Sequence, residues 1–147
     1  MSVSGKKNLL RLLFLLLIGA AAMGYYFYNK GPVNISKASA QEVAAPALYT
    51  AFVNDSTAAQ KIYSGKVLIL SGIISKIVLN QKGKSIILIK TSNNNGFINC
   101  TLEEKIPPGI KEDQPVKIKG LCSGLGEADI DLGLQPDLYL ERCIIQL

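Results

Sequence analysis

The segment LLFLLLIGAAAMGYYFY, residues 12–28, is a continuous apolar stretch without a charged residue near the start of the chain. As an α-helix it would be roughly 26 Å long, which is at the short end of what crosses a bilayer core. Leu9 and Leu10 extend the stretch, because the long side chain of Arg11 can reach back to the lipid headgroups. We therefore expect residues 9–28 to contact the membrane as a spanning helix.

A cleaved signal peptide is the alternative interpretation of the same segment. The alanines at 20–22 resemble the small-residue cleavage site of such a peptide. Against cleavage, aromatic residues favour the interface of a retained anchor, and three tyrosines follow at positions 25, 26 and 28. A retained anchor is the prediction, and secretion after cleavage stays open.

Positive charge is unevenly distributed around the apolar segment. Lys6, Lys7 and Arg11 lie before it or at its start, and Lys30 follows it. Because cytoplasmic flanks carry the excess of positive charge, the amino terminus is expected in the cytoplasm. The carboxyl-terminal domain is then extracytoplasmic, which means periplasmic in a bacterium.

The net charge of +5 does not by itself indicate nucleic-acid binding. Residues 1–30 contain four basic residues and no acid, so the remainder of the chain is nearly neutral. With 147 residues, the chain has room for one domain and appendages. We divide it into a basic start and anchor at 1–30, a linker at 31–37, and a helical lead-in plus folded domain at 38–147.

The lead-in has apolar residues at helical spacing, which predicts two helical pieces. The first runs from about Ala40 to Val53 with a bend at Pro46, and its apolar stripe packs on the domain. The second begins at Asp55 or Ser56, both good N-cap residues, and ends at Gly65.

The pattern changes after Gly65 to β-rich runs separated by turns. Gly72 lies within the long first run, where a bulge or sharp bend is the usual reason for a glycine. Asn95-Gly96 is a hairpin signal, and Pro107-Pro108-Gly109 makes residues 103–113 a connector. The predicted strands are Lys66–Asn80, Ser85–Thr91, Phe97–Leu102, Gln114–Cys122 and Asp137–Gln146.

These elements predict a mainly β fold with N-terminal helices. Five strands, a curved first strand and a non-strand insert between the third and fourth strands are typical of a five-stranded OB-fold barrel. One transmembrane helix and a short α-helical segment precede that barrel.

Several segments of the chain, from about residue 38 onward, resemble the tRNA-anti-like OB-fold family: ALYTAFVND with AAQKIYSGKVLILSG, NCT, VKIKGLCSG and DLYLERCII. Members of that family are typically small, membrane-anchored proteins of the bacterial envelope. The family name reflects similarity to anticodon-binding barrels. The resemblance therefore implies an OB-fold domain in the cell envelope, and it does not establish tRNA binding.

The cysteines predict structure rather than chemistry. Three cysteines without a histidine or a CxxC pair do not make a zinc site, and no base is present to form a reactive thiolate. Cys122 shares strand parity with Val116 and Ile118, and an antiparallel last strand would bring Cys143 near it. A Cys122–Cys143 disulfide and three buried free thiols both remain open, with Cys100 as a small core residue.

No metal or cofactor site is expected elsewhere. The acidic residues Glu127, Asp129 and Asp131 alternate as oxygen ligands do, but the EF-hand glycine and closing glutamate are missing. A solvated loop is the prediction for this segment.

A binding surface is expected on the second and third strands, where OB-fold barrels hold single strands. Phe97 is the only aromatic residue there, and basic residues cluster near the first hairpin: Lys76, Lys82, Lys84 and Lys90. A solvated barrel surface without a ligand is the competing interpretation.

Two function classes follow. The first is a membrane-anchored OB-fold binding module of the cell envelope, with an oligonucleotide, a glycan or an envelope protein as partner. The second is a structural or assembly protein of the envelope without a small ligand. An enzyme is not expected, because histidine and paired carboxylates are missing. No small-molecule cofactor is implied.

Overall fold

The computed structural model describes residues 3–29, 31, 33–92, 96–127 and 134–146, without the side chains of residues 3–6. The chain forms two compact units, Met1–Val33 and Asn34–Leu147. The first contains helix α1, Val3–Asn29. Within α1, the most apolar window of Lys7–Asn29 has a mean hydropathy of 1.8 and none of it is buried, so the segment is long and apolar enough to cross a membrane or to serve as a signal sequence.

Two short helices precede the long strands of the second unit: α2, Ala45–Asn54, and α3, Ser56–Tyr63. Proline is favoured in the first turn of a helix, and α2 begins with Pro46 in that turn. Asp55 caps α3, because its Oδ1 accepts a hydrogen bond from the Ala58 N–H at 3.0 Å.

The prediction of a helix from Ala40 was wrong at its start. Gln41–Ala44 form a strand, β1, which pairs in parallel with the first long strand. The physical reason is Pro46, which has no N–H to donate to the Glu42 carbonyl and whose ring would clash with that carbonyl, so a helix from Ala40 could not continue through residue 46. Helix α2 begins at Ala45 instead, with the proline in its first turn.

Five further strands build a closed barrel, which confirms the predicted OB-type architecture. Their order in the sheet is β2, β3, β4, β6 and β5, and β2 pairs with β5 to close it. All neighbours are antiparallel except β4 and β6, which are parallel. The bounds are β2 Val67–Leu79, β3 Ser85–Lys90, β4 Phe97–Leu102, β5 Pro115–Leu125 and β6 Leu138–Gln146.

Strand β2 bends so that its first half pairs with β5 and its second half with β3. The register shift lies between Ile74 and Lys76, a short way beyond Gly72. At Gly72 the space for a side chain is already occupied by Ile89 and Ala45. The glycine therefore permits close packing, while the bulge itself follows it.

Alternating residues of the strands fill the barrel, and α2 packs Leu48, Tyr49 and Phe52 into the same core. Phe52 and Tyr63 contact each other with ring centroids 6.2 Å apart. All three cysteines belong to this core. The residues between the inward-facing ones consequently form the outside of the barrel.

Candidate ligand-binding face

The outer surface of four neighbouring strands forms a continuous face that the core does not cover. Strand alternation turns its residues away from the barrel interior, opposite fully buried neighbours such as Ile87, Ile98 and Leu140. We call this surface the outer face. It consists of Lys76 and Val78 of β2, Ile86, Leu88 and Lys90 of β3, Phe97, Asn99 and Thr101 of β4, and Tyr139 and Glu141 of β6.

One row of residues runs straight across the outer face. Lys76 pairs with Leu88, Leu88 with Asn99, and Asn99 with Tyr139. Directly paired residues have neighbouring side chains, so a cation, an aliphatic group, an amide and a phenol follow each other across the sheet. Such a row combines apolar contact with a few polar groups, as binding surfaces do.

Asp137, the residue before β6, orients Asn99 at the centre of this row. Its Oδ1 accepts a hydrogen bond from the Phe97 backbone N–H at 2.8 Å. Its Oδ2 accepts one from Asn99 Nδ2 at 2.9 Å. A carboxylate only accepts, so the Asn99 nitrogen must face Asp137 and its Oδ1 must lie on the other branch of the amide.

Tyr49 of α2 holds the segment that carries Asp137. Its hydroxyl donates to the Pro136 carbonyl at 3.0 Å. Burial, and then the negative charge of Asp137, raise the pKa of the Tyr49 hydroxyl. Gly96 lies so close to this hydroxyl that a side chain there would collide with it. The helix thus connects the start of β4 with the start of β6.

Two aromatic rings lie on the outer face. Phe97 is partly exposed, and Tyr139 is 42% exposed. The Tyr139 ring covers Gly126, where an added Cβ would be 2.6 Å from its Cε2 atom. The backbone therefore supports this ring from behind, which leaves its other side available for stacking.

The charges of the outer face are largely balanced. Lys90 forms an ion pair with Asp113 of the connector. The neighbouring Glu112 accepts a hydrogen bond from the Ile77 N–H at 3.2 Å, so a second carboxylate lies along the β2 edge. Glu141 adds a third carboxylate beside Tyr139. Acidic residues therefore offset the excess of lysines on the outer face.

The structure brings only some of the predicted binding residues together. Lys76, Lys90 and Phe97 share the outer face. Lys82 and Lys84 lie instead in the turn between β2 and β3, where both backbone N–H groups donate to Asn80 Oδ1 at 2.9 Å. Their role in binding stays a prediction.

The cysteines lie together in the core as free thiols. A thiol–thiol hydrogen bond with Cys143, followed by burial, raises the pKa of Cys100 well above its usual range. Burial raises the pKa of Cys122 to about 11. Protonated thiols are poor nucleophiles, which fits a structural role.

The predicted Cys122–Cys143 disulfide stays a prediction. Strands β5 and β6 are antiparallel neighbours as expected, and their register pairs Cys122 with Leu140. Cys143 Sγ lies over Gly120, so the bridge would join residues that are not directly opposite. Metal binding is a separate matter: within the described residues, no group of three potential metal ligands occurs. Asp129 and Asp131 lie outside those residues.

A separate concavity of about 410 Å³ lies where β2, β5 and β6 meet the connector. Its lining includes the apolar residues Ile110, Val116 and Ile145, and also Lys117. Lys117 is paired with Glu42 of β1 at 2.6 Å. This concavity shares no residue with the outer face.

A family model described as tRNA_anti-like matches residues 3–134. The chain belongs to the tRNA_anti-like family. No curated protein matches it. Among solved structures, a putative aspartyl-tRNA synthetase from Leishmania major Friedlin is 9% identical, with a TM-score of 0.42 over 78% of this chain and 22% of that one. This chain therefore spans about a fifth of that synthetase.

Sequence reasoning missed three residues of the candidate site in this tRNA_anti-like protein: Asn99, Asp137 and Tyr139. The alternation in DLYLERC does indicate that Tyr139 faces opposite to Leu138 and Leu140. What the sequence does not reveal is that β6 pairs in parallel with β4, which places Tyr139 beside Asn99.

Proposed function

We propose that this protein is a membrane-anchored OB-fold binding module that holds an extended ligand across its outer face. The observation that carries the proposal is the row of Lys76, Leu88, Asn99 and Tyr139, which is in register over four strands. The same face of OB-fold barrels is used for oligonucleotides and oligosaccharides. Family membership supports the barrel as the functional unit.

Binding rather than catalysis is part of this proposal. The buried thiols have raised pKa values, and Asp137 already accepts hydrogen bonds from both Phe97 and Asn99. A carboxylate that is committed to structural partners is a poor general base.

The anchor would keep the module at a membrane surface. We propose that α1 is retained and that the barrel lies outside the cytoplasm, in the cell envelope. The apolarity of Lys7–Asn29 and the excess of basic residues before it support this orientation. A carboxyl-terminal alkaline phosphatase fusion is expected to be active and the matching β-galactosidase fusion inactive. The reverse pattern would refute the orientation, and a mature chain beginning near Met23 would refute retention.

Binding is tested with the full chain in lipid nanodiscs and two fluorescently labelled probes. One probe is a single-stranded oligothymidylate of 15 nucleotides, the deoxythymidine strand, and the other is a neutral tetramer of β-1,4-linked N-acetylglucosamine. We expect at least one probe to bind, and Phe97→Ala combined with Tyr139→Ala to raise its Kd at least tenfold. Base and ring stacking on aromatic side chains accounts for a loss of this size.

Ile62→Ala is the matched control, because Ile62 is an exposed apolar residue of α3, 49% accessible and outside the outer face. Its Kd should stay within twofold of the wild-type value. The proposed function would be contradicted if neither probe binds. It would also be contradicted if Ile62→Ala weakens binding as much as the double variant Phe97→Ala with Tyr139→Ala.

A further inference from the structure

We infer that the ligand of the outer face is an uncharged oligosaccharide rather than a nucleic-acid strand. This inference rests on the proposed binding function and names its ligand class. Three features of the face support it: balanced charge, an amide with a fixed orientation, and rings that are partly exposed.

The first feature is the charge balance. Affinity for a phosphate backbone comes largely from lysine and arginine side chains that replace its counterions. On the outer face, Lys90 is already paired with Asp113, and Glu112 and Glu141 lie at opposite edges. The two lysines of the face, Lys76 and Lys90, lie among these three carboxylates, so a polyanion would find no excess of positive charge there, whereas a neutral polymer needs none.

The second feature is the amide of Asn99. One N–H of its Nδ2 is held by Asp137 at 2.9 Å. Within the described part of the chain, Asn99 makes no further side-chain hydrogen bond, and its Oδ1 is not among the buried atoms that lack a partner. The Oδ1 acceptor therefore stays accessible in a position that Asp137 fixes, which suits a hydroxyl or amide N–H donor of a sugar.

The third feature is the pair of rings. Phe97 lies two residues before Asn99 on β4, Tyr139 lies opposite Asn99 on β6, and Leu88 lies opposite it on β3. Pyranose rings have apolar faces and polar edges. The apolar face of a sugar can stack on the Tyr139 ring while the polar edge of the same sugar contacts Asn99. Two neighbouring side chains therefore suit both the apolar face and the polar edge of a pyranose.

The experiment compares the two probes in the full chain in nanodiscs at about 50 mM and about 500 mM NaCl. We expect the tetramer of N-acetylglucosamine to bind with a Kd that changes less than twofold between the two salt concentrations, because no ion pair contributes. Asn99→Ala should weaken this binding at least fivefold, and Asn54→Ala, which changes an exposed asparagine of α2, should leave it unchanged.

Tyr139 supplies a second pair of variants in case Asn99→Ala does not fold. Tyr139→Ala should weaken binding of the tetramer at least fivefold, while Tyr139→Phe keeps the ring and should retain binding within twofold. Tyr139 is not a core residue, so neither variant removes buried core packing.

The outcomes separate the ligand class from the binding function. Binding of the deoxythymidine strand instead, with a Kd that rises steeply with salt and depends on Phe97 and Tyr139, would overturn the oligosaccharide and leave the binding function intact. Tetramer binding that neither Asn99→Ala nor Tyr139→Ala weakens would also overturn it. Failure of both probes to bind would refute the binding function itself.

Discussion

Asp137 determines the geometry of the candidate site although it is not itself part of the outer face. Its two carboxylate oxygens connect the backbone of Phe97 with the side chain of Asn99, and both partners belong to β4. The neighbouring Pro136 is fixed by Tyr49. One short segment before β6 therefore orients the amide.

Asp137→Ala tests this role at the level of stability. Hydrogen bonds to a charged group contribute about 1.5–3 kcal/mol, and the variant leaves two donors without their acceptor. We expect the free energy of unfolding to fall by about 2–4 kcal/mol, measured by urea denaturation, which is a range typical of broken hydrogen-bond networks. Asp137→Asn keeps one acceptor and should lose less. An unchanged urea midpoint for Asp137→Ala would show that these bonds do not hold β4.

Cys122 makes a separate prediction about alkaline pH in the reduced protein. Below pH 9 the thiol is protonated in both folded and unfolded chains. Between its ordinary pKa of 9.0 and its folded pKa of about 11, only the unfolded chain releases the proton, so stability falls as pH rises.

The loss is about 1.4 kcal/mol per pH unit in that range. Because the unfolded thiol is already half ionised at pH 9, we expect the wild type to lose about 1.5 kcal/mol more than Cys122→Ala, which lacks the thiol, from pH 9 to 10.5. Urea denaturation at several pH values measures the difference. If the free energies of unfolding of the wild type and of Cys122→Ala fall equally as the pH rises, the raised pKa of Cys122 would be contradicted.

Among the elements, the contact between β5 and β6 depends on one small residue. Gly120 leaves room for Cys143 Sγ, which occupies the position of a side chain at residue 120. The carbonyl of Glu141 and the Cβ atom of Cys143 each lie 3.4 Å from that position, so β6 already packs against it. A positive φ of 53° at Arg142 accompanies the register shifts that bring Cys143 inward.

Gly120→Ala should therefore destabilise the domain by about 1–3 kcal/mol, the usual range for overpacking. Adding Cys143→Ala removes the colliding sulfur and should recover part of that loss relative to the two single variants. A double-mutant cycle with thermal or urea unfolding gives the coupling energy. Strictly additive effects would mean that the sulfur does not limit the space at residue 120.

The elements also show what a sequence can predict here. Strand β4 is predicted with its observed bounds, since apolar and polar residues alternate from Ile98 to Leu102 and turn signals flank the segment. Strand β1 is missed, because four residues in parallel pairing with a distant strand have no local signal that differs from a helix start. The end of β5 is predicted too early, as Ser123 and Gly124 look like a loop but continue the ladder opposite Tyr139.

For the whole molecule, the long apolar N-terminal helix and the barrel could be predicted from the sequence, and the site only in part. Phe97 and Lys76 follow from their positions on single strands. Asn99 and Tyr139 meet only through the parallel pairing of β4 with β6, which no local pattern encodes. The ion pair between Lys90 and Asp113 depends in turn on the path of the connector between β4 and β5, which brings Asp113 to the outer face.

Methyl NMR of the full chain in nanodiscs tests the central claim, that the outer face is the binding surface. The chain is titrated to saturation with the probe that it binds. We expect the methyl signals of Leu88 and Ile86 on the outer face to shift and those of Ile62 on α3 to stay unchanged. Shifts confined to Ile110 and Ile145, which line the separate concavity, would contradict the account.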